Sequence, residues 1–182
     1  MPETNNSRGF FTIAQNNTDV DYVKCAYGLA LSLKRSQTSV SKLSIGVTPG
    51  TVIDEKYVWA FDQIVEIPWG DQAEDCEWKL ENEWKVPYMS PYDETIKLDA
   101  DILFFTDIGN WWEQLSGCSH DFVCANKVLN WRGETITSDV CRKTFTANKL
   151  PNLYTGFTYF TKHDVVFEIF ELVKTITWNW QK

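Results

Sequence analysis

Asp99 and Asp101 are the residues of this chain whose type and spacing point most directly to chemistry. They stand two apart at the end of an apolar run, Glu94-Thr-Ile-Lys-Leu-Asp-Ala-Asp-Ile-Leu-Phe-Phe-Thr-Asp107. Side chains in a strand alternate between faces. Thr95, Lys97, Asp99 and Asp101 then share one side, while Ile96, Leu98, Ala100 and Ile102 point the other way, into a core. The two carboxylates lie roughly 6–7 Å apart along such a strand, at 3.3 Å per residue. That is too wide for a tight repulsive pair. It suits two oxygen donors sharing one hard cation, with other positions open to phosphate oxygens. The plain alternative is a solvated turn, since Asp is common where strands end.

These residues need elements to carry them. The chain has 182 residues, which predicts a single domain over 1–182 with a real core. Its net charge of −8 gives no basic face, so no nucleic-acid footprint is expected; an anionic nucleotide would need a cation or a local Lys or Arg. The first residues contain no apolar leader, and no run approaches the ~18 apolar residues of a membrane span, so a cytoplasmic location is expected. Five cysteines without a Cys-x-x-Cys unit read as reduced, mostly structural thiols. His120 and His163 lack paired-ligand spacing, which argues against zinc.

Residues 10–15 read as a buried strand, followed by a turn with Thr18 or Asp19 as N-cap. Val20, Val23, Tyr27, Ala30 and Leu31 recur at helical spacing up to Lys34-Arg35. A strand over 42–48, a short helix over 52–61 and a strand over 63–68 follow. This alternation predicts an α/β fold with a mostly parallel central sheet and helices on both faces. Residues 72–85 read as helical, broken by Pro87 and Pro91 before the Asp99 strand. A helix over 110–115, strands over 121–128 and 153–160, and a helix over 163–174 complete the chain, with a polar, irregular stretch at 129–152. Trp111-Trp112 reads as packing a helix on the sheet.

In open α/β sheets ligands bind beyond the carboxyl ends of the strands. Gln15-Asn16 and Asp99/Asp101 both fall there. Neither Gly-x-Gly-x-x-Gly nor a P-loop is present, so a dinucleotide or P-loop nucleotide is not expected.

At this point the chain resembles glycogenin-like sugar-nucleotide glycosyltransferases. The similarity runs through Phe11-Thr-Ile-Ala-Gln-Asn16, Tyr22, Gly28–Lys34, Lys42–Pro49, Phe61–Pro68, Leu98-Asp-Ala-Asp-Ile-Leu103 with Asp107-Ile108, and Leu153-Tyr-Thr-Gly-Phe-Thr-Tyr-Phe160. The resemblance implies a GT-A fold that holds Mn²⁺ or Mg²⁺ and a UDP-sugar donor, transferring the sugar with retention to an unknown acceptor. It implies Asp99 and Asp101 as metal ligands in a Asp99-Ala100-Asp101 motif. Thr12, Ala14, Asn16 and Tyr22 would border the base, with Tyr22 stacking on uracil. Lys85 would touch phosphate or ribose. Tyr154, Thr155 and Gly156 would stand beside sugar or acceptor, Gly156 permitting close approach. Asp139, in the polar stretch, is the carboxylate to test for catalysis.

Two departures qualify the resemblance. Tyr154 and Thr155 replace the family's Asn and Ser. The C-terminal His-x-x-Gly-x-x-Lys block, source of a third metal ligand and a diphosphate Lys, has no counterpart, and His163 is not in such a block. A fragment or shortened member that binds donor without transfer is therefore one alternative. Another is phosphoryl transfer with Asp99 as nucleophile, although such a nucleophile usually follows the first strand.

Overall fold

The computed structural model describes residues 7–71, 73, 79–126, 129, 132–134, 147–149 and 153–180. Among the described residues six strands form one sheet in the order β3-β2-β1-β4-β6-β5. β1 (Arg8–Ile13), β2 (Leu43–Val47), β3 (Ile64–Glu66) and β4 (Glu94–Leu98) pair in parallel. β6 (Tyr154–Thr161) is antiparallel both to β4 and to β5 (Phe122–Ala125). The chain steps from β1 through β2 to β3 at one edge, then returns to place β4 on the other side of β1. The sheet therefore has its topological switch point between β1 and β4, where a crevice opens at their carboxyl ends.

The β1 sequence shows how both faces become buried. Phe10 belongs to a core with Leu29, Leu33, Ile45, Ile96 and Trp112, under α1 (Tyr22–Ser36) and α4 (Gly109–Gly117). Phe11, its neighbour, points the other way, into a core with Val86, Met89, Phe160 and Phe170. That second face is covered by α3 (Val86–Met89) and α5 (Asp164–Trp180). Adjacent aromatic residues on a strand thus anchor two separate layers, each fully buried ring contributing about 1.5–3 kcal/mol. No helix among the described residues is long and apolar enough to cross a membrane.

Local details depart from the sequence expectation for physical reasons. Asp21, rather than Thr18 or Asp19, caps α1: its side chain accepts from the Lys24 amide at 3.0 Å. The preceding turn is closed by Asn17 Oδ1, which accepts from the Asp19 and Val20 amides and delays the helix start. Leu31 is exposed, and the inward stripe is Val23, Ala26, Leu29, Ala30 and Leu33. The helix expected over 52–61 is a single turn, α2 (Glu55–Val58). Part of the helix expected over 72–85 lies outside the described residues, and the described part is a 3₁₀ helix, Lys79–Lys85, leading directly into α3. Pro87 begins that helix instead of breaking it, because a first-turn residue needs no N–H partner. β4 ends at Leu98, and α5 reaches Trp180.

Candidate functional site: a carboxylate cleft at the switch point

A cleft of about 210 Å³ opens where β1 and β4 end, lined by Thr12, Ile13, Gln15, Tyr22, Leu80, Glu83, Lys97, Leu98, Asp99, Ala100 and Asp101. Strand alternation carries Lys97 and Asp99 to one side. Asp101 arrives differently: Asp99 to Ile102 form a turn in which the Ile102 amide donates to the Asp99 carbonyl at 3.4 Å. Ala100 stays buried in the core beneath that turn. Asp101 is exposed, and it stands close enough to α1 to act on Cys25, whose thiol is pushed up by burial first and then by the Asp101 and Asp21 carboxylates.

Lys97 dominates the electrostatics. It is 4% exposed, with Nζ 2.8 Å from Glu83 Oε2 and 3.2 Å from Asp99 Oδ1. Burial alone would lower the pKa of such an ammonium. The Glu83 and Asp99 carboxylates outweigh it and hold the Lys97 pKa above its ordinary value. Neither Lys97 nor Glu83 stood out as a site residue in the sequence. The alternation of the strand already placed Lys97 beside Asp99, but Glu83 lies on the 3₁₀ helix and no short-range spacing links it to them.

Gln15, which also lines the cleft, is fixed by a hydrogen-bonded group from four segments. Gln15 Nε2 donates to Thr48 Oγ1 at 3.0 Å and to Asp71 Oδ2 at 2.7 Å. Asn82 Nδ2 donates to Gln15 Oε1 at 2.9 Å and to Asp71 Oδ1 at 2.6 Å. Burial works against the charged Asp71, but donors from Gln15, Asn82, the Ala73 amide and Thr48 hold its pKa below the ordinary 3.8. Thr12 Oγ1 is buried at the cleft and has no hydrogen-bond partner among the described residues. An unpaired buried hydroxyl costs free energy and is relieved by a ligand's polar atom.

Of the residues expected at the site, Thr12, Tyr22, Asp99, Ala100 and Asp101 meet at this cleft. Others take different places. Ala14 packs into the core. Asn16 Oδ1 accepts from the Val23 amide at 3.1 Å and so secures the first turn of α1. Lys85 is fully buried, donating to the Gly70 carbonyl at 2.5 Å, and desolvation lowers its pKa. The cation at the cleft is Lys97. Thr155 lines a narrow apolar slot of about 100 Å³ that shares Glu83 and Lys97 with the cleft. Gly156 faces Asp99 across the β4–β6 pair: a Cβ there would lie 2.5 Å from both Asp99 Oδ2 and Tyr154 Cε1. The close approach that glycine permits is that of Asp99 itself. Asp139 lies outside the described residues.

Hard oxygen donors, few in number, suit Mg²⁺ or Mn²⁺ held by one or two carboxylates and completed by water and substrate phosphates. Asp99 and Asp101 fit that description. Among the described residues no group of three His, Cys, Asp or Glu side chains converges on one point.

The fold is of the GT-A nucleotide-binding type, a mostly parallel sheet with helices around it. The structure is similar to the apo form of mouse xyloside xylosyltransferase 1, with a TM-score of 0.55 and 10% identity, covering 96% of this chain and 73% of that one. It is similar to the glycosyltransferase GlyE of Streptococcus pneumoniae TIGR4 at a TM-score of 0.62 and 12% identity, covering 98% of this chain and 40% of GlyE. An active-site mutant of LgtC matches at a TM-score of 0.56 and 13% identity, over 92% of this chain and 64% of that one. This chain thus spans less than half of GlyE and about two thirds of LgtC. No family model and no curated protein matches the sequence. What the neighbours share with this chain is the fold; the narrower likeness to glycogenin-like enzymes rests on the motifs alone.

Proposed function

We propose that this chain is a glycosyltransferase domain that binds a nucleotide-diphosphate sugar, UDP-linked, together with Mn²⁺ or Mg²⁺, and transfers the sugar with retention to an acceptor. The observation that carries this reading is the joint opening of Asp99, Asp101, Thr12 and Tyr22 on one cleft at the β1–β4 switch point. Asp99 and Asp101 hold the cation. When bound, the cation screens the diphosphate and acts as a Lewis acid for its departure. Tyr22, at the start of α1, presents a ring for the base, and the unpaired Thr12 hydroxyl supplies a hydrogen bond to the nucleotide. The Gln15–Asp71–Asn82 group keeps the wall rigid. Tyr154, Thr155 and Gly156 border the sugar side, and Asp139 is the carboxylate to substitute when transfer is assayed.

Calorimetric titration with UDP, GDP and CDP in Mn²⁺ tests the reading. UDP should bind most tightly, and Asp99→Ala with Asp101→Ala should lower its affinity more than tenfold, or about 1.4 kcal/mol. Equal binding of UDP by parent and double variant would sink it. Turnover of UDP-sugars with and without Mn²⁺ separates transfer from binding alone.

A further inference from the structure

Lys97 occupies a place that packing does not explain. Its neighbours on β4, Ile96 and Leu98, belong to the apolar core, and an aliphatic residue would fill its volume without burying a charge. Instead the ammonium is buried between Glu83 and Asp99. Around it the cleft presents Glu83, Asp99 and Asp101, three carboxylates that repel a diphosphate. Among the described residues lining the cleft, Lys97 is the one cation. An ammonium carries three N–H donors. Among the described residues Glu83 and Asp99 engage two of them, which leaves one for a phosphate oxygen.

We infer that Lys97 is the resident cation of the donor cleft: its ammonium pairs with the donor's diphosphate and competes with the divalent metal for Asp99, so that part of donor binding needs no metal. This inference rests on the donor reading above. It has two linked consequences. Loss of Lys97 weakens nucleotide binding when metal is withheld. The same loss strengthens metal binding when nucleotide is withheld, because a positive charge 3.2 Å from Asp99 Oδ1 is removed.

The test is calorimetric titration of UDP in EDTA and of Mn²⁺ without nucleotide. It compares the parent, Glu83→Gln, Lys97→Met, and the double variant, which removes both charges of the Lys97–Glu83 pair. Circular dichroism melts establish that each variant is folded. In EDTA the parent should bind UDP measurably. Lys97→Met and the double variant should bind it at least tenfold more weakly, while Glu83→Gln, which breaks the pair but keeps the cation, should bind it as tightly as the parent. Mn²⁺ should bind Lys97→Met severalfold more tightly than the parent, and equal or weaker binding would overturn the competition for Asp99. Parent binding that appears only with Mn²⁺, equal binding by parent and double variant in EDTA, or equal loss in Glu83→Gln and the double variant would each overturn the role of Lys97 alone. A parent that binds UDP in neither buffer overturns the donor reading and this inference with it.

Discussion

The carbonyl of Gly156 accepts the Asp99 amide at 3.3 Å, while the space where Gly156 lacks a side chain is taken by Asp99 Oδ2. One residue therefore sets both the backbone and the carboxylate of the candidate metal ligand. Gly156→Ala puts a methyl 2.5 Å from that oxygen and from the Tyr154 ring, so one of them must move. We expect a stability loss of about 1–3 kcal/mol, the usual range for overpacking. We also expect Mn²⁺-dependent UDP affinity to fall at least tenfold, read by thermal melts and calorimetry on the same sample. Unchanged affinity would mean that Asp99 is not held by this contact.

Thr12→Val separates binding from folding. The hydroxyl it removes is buried and lacks a partner among the described residues, so its loss should leave the melting temperature unchanged or raise it. UDP affinity should fall severalfold in calorimetry. A variant that melts lower and binds normally would assign Thr12 to the core and not to the ligand.

Asp101→Asn isolates the exposed carboxylate. The side chain is at the surface, so stability should stay within about 0.5 kcal/mol of the parent. Mn²⁺ binding, followed by electron paramagnetic resonance of the free ion, should weaken more than tenfold.

Asp71 contributes to the acid side of the stability curve. Its folded pKa lies below 3.8, so its contribution is complete above about pH 4 and is lost as pH falls through the lower folded value. Asp71→Asn should cost about 1–3 kcal/mol at pH 7, where Gln15 and Asn82 lose their charged acceptor. Its melting temperature should then fall less steeply than the parent's below pH 4. Parallel curves for the two proteins would place the acid-sensitive group elsewhere.

The sheet and half of the cleft were legible in sequence because both follow from short-range patterns. Alternation around Ile96 and Leu98 located β4 and put Lys97 and Asp99 on one side, and the strand–helix alternation implied the parallel crossovers. What stayed hidden depends on contacts between distant segments. Glu83 meets Lys97 only through the docking of the 3₁₀ helix on the sheet, and Asp71 meets Gln15 only after β3 has returned beside β2. Lys85 and Lys97 look alike as letters. Both are buried, and their partners separate them, one against the Gly70 carbonyl and the other against two carboxylates. Pro87 likewise reads as a breaker until its position in a first turn is known.

The pairing of Ala125 with Tyr154 has a consequence for how such a protein diversifies. β5 finishes and β6 starts at the same rim, beside Asp99, so the chain between them leaves and re-enters the sheet at neighbouring points. Its two ends are moored in a hydrogen-bond ladder that does not depend on its length. Changes in length between those moorings can therefore leave Asp99, Lys97 and Gly156 in register, because the β4–β6 pair sets that register.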